Sequence, residues 1–116
     1  MESILTSIKK LLGIGEEYTH FDTDVIMHIN SVFADLTQIG VGPSDGFSIS
    51  DSATTWLEYT DDDPMIANVK QYIHLRVKLV FDPPTNSSVL ASMEKMIDRL
   101  EWRLNVAVDK PEESEV

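Results

Sequence analysis

The chain has no cysteine in its 116 residues. That excludes disulfide bonds and thiolate metal ligands, and it is compatible with a reducing compartment. No apolar run approaches the roughly 20 residues that a membrane span needs. The start, "MESILTSIKKLLGIG", lacks the long apolar stretch and small-residue cleavage site of a secretory signal. The expectation is a soluble chain, made in the cytosol, with no membrane partner. Cations are scarce: nine Lys and Arg stand against twenty Asp and Glu, a formal net charge of −11. A cationic face for nucleic acid or anionic lipid is therefore not indicated, and any oligomer has like charge to overcome.

Chemical motifs are missing as well. There is no Gly-x-Ser-x-Gly elbow, no phosphate-cradling glycine loop, and no histidine placed to activate a serine. The "TDDDP" run lacks the ligand alternation of a calcium loop and reads as helix capping. One metal-like constellation exists: His20, Asp24 and His28, of which the last two lie one turn apart on a helix and could converge on zinc with His20. A capping carboxylate, an exposed Asp24–His28 pair and an unrelated loop histidine are the commoner origin of so short a pattern. We expect no metal, no cofactor and no enzymatic activity.

What is present is amphipathic periodicity. A 42% hydrophobic composition and this length suit one globular domain with a single core. Ile4, Leu5, Ile8, Leu11 and Leu12 have helical spacing, with Ser3 placed to cap and Gly13 to terminate. A second helix reads from Thr23 to Gln38, capped by Asp22 or Thr23 and ended by Gly40. Residues 42–63 turn to Ser, Thr, Asp and Gly. Only "FSI" and "TTWLEY" have strand-like content there, so a long loop with short strands is expected, and loops of that length are usually functional.

The stretch after Pro64 is ambiguous. Ile73, Leu75, Val77 and Leu79 alternate like a strand, but the Asp-Pro start and the absence of a breaker before Asp82 favour one long helix, with Asp63 as its cap. Its apolar surface covers most of the circumference, which suits a central position. Pro83 and Pro84 must end it. Residues 85–88 then cap a last helix whose Leu90, Met93, Ile97, Leu100 and Leu104 form a seam. A short rigid link between two long helices implies an antiparallel hairpin. The expected fold is mainly α: a small bundle of about four helices with an αα-hairpin and a long loop carrying short β-strands. The helical domain covers residues 1–105, and an acidic tail covers 106–116.

Three features exceed what a plain monomer needs. Arg76 falls in the apolar sector of its helix, where a guanidinium needs a carboxylate partner, unless its stem lies along the core edge with its head in water. Trp102 lies off the seam, between acidic positions (Glu94, Asp98, Glu101) and a basic row (Lys95, Arg99, Arg103). It either packs on the loop or first helix, or forms a subunit contact of the kind tryptophan favours. The opposed charge strips could pair with neighbouring copies, or simply be a solvated face.

The sequence as a whole resembles a known family. The opening "ILTSIKKLLGI", the "THFDTD" entry to a helix that ends in "IGVGP", then "VKQYIHLRVKLVFDPP" and "MEKMIDRLEWRLN" are similar to the head–tail connector proteins of long-tailed bacteriophages. The resemblance runs over residues 4–105, with the double-proline corner and the Leu-Glu-Trp-Arg-Leu-Asn helix end as its most specific part. It implies a helical adaptor, commonly twelve copies in a ring beneath the portal protein, that closes the filled head. Such an adaptor presents a surface to the next connector or tail protein and resides in the virion after assembly in the host cytoplasm. Genomic DNA would pass through the lumen without specific binding, and the acidic 43–63 segment, with Asp61, Asp62 and Asp63, is the expected lumen-facing or next-ring element. An alternative of another class is an acidic DNA mimic or other module that occupies a host protein. That reading needs carboxylates spaced like phosphates along one face, whereas here they cluster in loops and tail.

Overall fold

A computed structural model describes residues 2–109 of the chain, with five helices in the order α1 (Ile4–Leu11), α2 (Asp22–Gln38), α3 (Trp56–Tyr59), α4 (Asp63–Phe81) and α5 (Ser87–Asp109). Ser3 caps α1 as expected, its hydroxyl accepting from the Thr6 amide at 3.2 Å. Gly13 follows with φ +82°, the left-handed conformation that lets the chain leave the helix. The start of α2 differs from expectation. Phe21 occupies the cap position without a side-chain cap bond, because Asp22 is drawn instead to Lys9.

The ambiguous segment is a helix along its whole length, α4. Its cap is Asp62 rather than Asp63: the Asp62 carboxylate accepts from the Met65 amide at 3.1 Å, and Pro64 sits in the first turn. Asn86 opens α5, accepting from the amides of Ser88 (2.8 Å) and Val89 (3.1 Å). That helix continues to Asp109, beyond the Asn105 boundary expected from the sequence. Residues 110–116, the rest of the acidic tail, lie outside the described residues.

Residues 42–62 depart most from the sequence reading. Neither "FSI" nor "TTWLEY" forms a strand, and among the described residues the only β-pairing is an isolated bridge between Ser3 and Thr55. Most of "TTWLEY" is instead the single turn α3, closed by a capping box in which Glu58 reaches back to the Thr55 amide at 3.0 Å. The rest of the loop is fixed by side chains from α2. The Asn30 amide bonds both the N–H (2.8 Å) and the C=O (2.9 Å) of Ile49. Phe33, Phe47 and Tyr59 stack around one another at centroid distances of 5.0–5.1 Å. Trp56 is fully buried, donating its indole N–H to Ser7 Oγ at 2.8 Å and so pinning α3 to α1.

α4 is the hub. It packs against α1, α2 and α5, while α2 and α5 have no comparable contact with each other. Val69, Tyr72, Ile73 and Val77 of α4 are buried beneath Val25, Ile29, Val32, Phe33 and Leu36 of α2 and the α5 seam of Met93, Ile97, Leu100 and Leu104. Gln71 meets Met96, and Tyr72 meets Glu101, along the α4–α5 contact.

Candidate functional site

Arg76 has a carboxylate partner, the first of the two alternatives that the sequence left open. Its Nη2 donates to Asp35 Oδ2 on α2 at 2.6 Å, its Nη1 to the Tyr72 hydroxyl at 2.9 Å, and that hydroxyl contacts Glu101 on α5 at 3.3 Å. Burial works against the guanidinium charge, but the hydrogen bonds to Asp35 and Tyr72 outweigh it and hold its pKa above the usual arginine value. The guanidinium also lies over the Tyr72 ring, 5.5 Å from the centroid. Arg76 is thus tied within its own chain and links three helices. Nothing in the local pattern around Asp35 signals this partnership, which spans 41 residues.

A second network was not legible at all. Lys9 is only 3% exposed, and its ammonium donates to the carbonyls of Glu16 (3.1 Å) and Tyr18 (2.8 Å) beside an ion pair with Asp22 Oδ1 at 2.8 Å. The Asp22 contact is electrostatic rather than an aligned hydrogen bond, since Oδ1 is otherwise without a donor. These groups fold residues 12–21 over the end of α1 and border a cavity of about 320 Å³. A second hollow of about 430 Å³ lies between α1 and α4, lined by Leu11, Ala67, Lys70, Gln71 and His74. There the His74 ring lies beside the Leu11 backbone, and its Nε2 is buried without a partner among the described residues. Burial and the neighbouring Lys78 charge lower the His74 pKa.

The metal-like residues fall apart. His20 sits in the loop with its ring 4.9 Å from Phe21, while Asp24 and His28 are on α2, and the described residues contain no cluster of three His, Asp or Glu side chains fit to hold an ion. No described helix is long and apolar enough to cross a membrane.

The remaining sequence-selected residues share α5. Glu94, Lys95, Asp98, Arg99, Trp102 and Arg103 are all exposed, and Trp102 packs on neither the loop nor α1: it is 66% exposed. Helical spacing puts Lys95, Arg99, Trp102, Arg103 and Val106 opposite the buried seam, flanked on one side by Glu94 and Asp98. Among the described residues, Lys9, Lys70, Arg76 and Lys78 have ion-pair partners; Lys95, Arg99 and Arg103 have none. Asp61, Asp62 and Asp63 are exposed at the start of α4, away from any cation pairing among the described residues. Charge is also segregated along the chain. No lysine or arginine occurs between Lys10 and Lys70, a span with eleven of the twenty acidic residues.

α5 thus bears an exposed tryptophan among cations that are unpaired among the described residues, a surface chemistry suited to contact with another protein. The family comparison agrees: the model described as phage connector protein matches residues 4–111, and the chain belongs to that family of phage head–tail connectors. Comparison with curated proteins and with solved structures gives no significant match.

Proposed function

We propose that the chain is a structural subunit of the phage virion at the junction of head and tail. Family membership along nearly the whole chain is the observation that carries this reading. In it, identical subunits, twelve in the commonest arrangement, form a ring beneath the portal protein. The ring closes the DNA-filled head and offers the next connector or the tail proteins a docking surface. α4 and α5, joined by residues 82–86 with their two prolines, form an antiparallel hairpin whose corner angle is set by the prolines. Assembly takes place in the host cytoplasm. The domain proper is the helical body.

The charge supports a passive DNA conduit. A ring of subunits each carrying −11 repels a polyanion wherever those charges line the lumen, so DNA slides without adhering. The 43–63 segment, rich in carboxylates and free of lysine and arginine, is the proposed lining or next-ring element. Reversing Asp61, Asp62 and Asp63 to lysine should slow DNA ejection; unchanged ejection kinetics from intact particles reject that assignment.

The test of the reading as a whole is deletion of the gene in its phage, with electron microscopy of the lysate. Free tails beside unjoined heads, full or leaking, are the expected result. Normal infectious particles would overturn it and favour the acidic host-protein-binding reading.

A further inference from the structure

The outward face of α5 and the outward face of α2 are complementary, and the two helices pack on the same hub helix rather than on each other. The α5 face carries Lys95, Arg99 and Arg103, unpaired among the described residues, around Trp102. α2 contains no lysine or arginine. Its exposed side presents Asp24, Met27, Ser31, Ala34 and Asp35, with Met27 59% exposed. Asp24 and Asp35 are eleven residues apart in the chain, about 16 Å along a helix, which matches the run from Lys95 to Val106. Asp35 gives one oxygen to Arg76, is itself half exposed, and has no second cation partner among the described residues. Small residues at Ser31 and Ala34 leave room for a helix to approach, and a thioether beside an indole is a favourable apolar pair.

From this we infer that a second copy of the chain seats its α2 face on the α5 face of the first, with Trp102 against Met27 and the three cations facing the carboxylates of α2. This deepens the ring reading proposed above and rests on it. The contact is heterologous, because different surfaces meet. α2 and α5 each pack on α4 rather than on each other, so each subunit keeps one α2 face and one α5 face for a neighbour, and the contact repeats into a ring where its rotation closes. It also accounts for how a chain of net charge −11 associates with itself: three of the four cations unpaired among the described residues lie on α5, and they face an α2 that has no lysine or arginine. DNA is the disfavoured occupant, since three cations on a strongly acidic subunit leave a net repulsive field.

The native absence of cysteine makes disulfide trapping a clean test. A chain carrying both Trp102→Cys and Met27→Cys is supplied to a phage lacking the gene, and purified particles are oxidised and run without reductant. The expected result is a ladder of covalent multimers, absent when either single substitution is used alone. Arg99→Cys with Ser31→Cys is a second exposed pair that should give the same ladder. Adding Lys95→Glu and Arg103→Glu to the Trp102→Cys/Met27→Cys chain should diminish the ladder, and Asp24→Lys should partly restore it. Particles that contain the chain but yield no ladder from either cysteine pair overturn this interface and leave the connector reading standing. Dimers formed by Trp102→Cys alone overturn it in favour of a two-fold contact. Retention of the purified chain on DNA, lost on reversal of the same cations, overturns it in favour of a nucleic-acid surface. A chain absent from particles overturns the connector reading and this inference together.

Discussion

Arg76 on α4 and Asp35 on α2 meet at 2.6 Å, and the same guanidinium holds the Tyr72 hydroxyl that faces Glu101 on α5. One side chain therefore sets the relation between the two helices that flank the hub. An isolated exposed ion pair contributes little, about 0.2–1 kcal/mol, but this one is partly buried and shares a network.

Arg76→Ala should lower stability by about 1–3 kcal/mol, because it strips Asp35 and the Tyr72 hydroxyl of their donor as well as removing packing. Asp35→Asn should cost less than half as much. Denaturant melts of both singles and the double test this, and strictly additive losses would show that the two residues are not coupled.

Lys9→Ala should be more damaging, at about 2–4 kcal/mol, since two carbonyls and the Asp22 carboxylate lose a buried cation. Hydrogen exchange should accelerate first at residues 12–21, with α4 and the rest of the body retaining protection. A variant with native exchange in that loop would mean that Lys9 does not hold it.

His74 should make the fold sensitive to mild acid. Its folded pKa lies below the ordinary histidine value of 6.5, chiefly through burial and then through Lys78. The unfolded chain takes up this proton as pH falls through about 6.5 while the folded chain resists, so stability drops with falling pH in that window. His74→Gln should flatten the dependence of Tm on pH between about 5.5 and 7 relative to the native chain. Parallel curves would assign the sensitivity elsewhere.

Tyr59 gives the opposite sign at the alkaline end. Burial pushes its pKa up from 10.0 to about 12. Between those values the unfolded chain ionises and the folded chain does not, so stability falls as pH rises from 10 to 12. Its hydroxyl is buried without a partner among the described residues, so Tyr59→Phe should be neutral or mildly stabilising at neutral pH and remove that alkaline loss. A loss of more than about 1 kcal/mol at neutral pH would mean that the hydroxyl is satisfied after all.

Helices α1, α2, α4 and α5 were legible because apolar residues three and four apart mark a buried stripe whatever the partner, and Pro64, Pro83 and Pro84 bound two of them. The 42–62 segment was not. Its order comes from Asn30 clasping Ile49 nineteen residues away and from the Phe33, Phe47 and Tyr59 stack, contacts that no local pattern encodes. Trp, Leu and Tyr in "TTWLEY" have the bulk that favours strands, whereas Thr55 followed three residues later by Glu58 has the spacing of a capping box, the signal that could have found the helical turn. The candidate site was partly legible. Trp102 and its cations share a face by the helical wheel, while for Arg76 the sequence left a carboxylate partner and a solvent-directed head both open, and identifying Asp35 required the tertiary fold.

The two tryptophans occupy opposite environments: Trp56 is 1% exposed in the core and Trp102 stands in solvent. Their fluorescence is therefore separable by emission colour and by quencher access. Trp56 emits toward the blue and reports whether the body is folded. Trp102 emits toward the red and is open to iodide. The chain carries one optical gauge of its own integrity and another of whatever comes to cover α5, with no label attached.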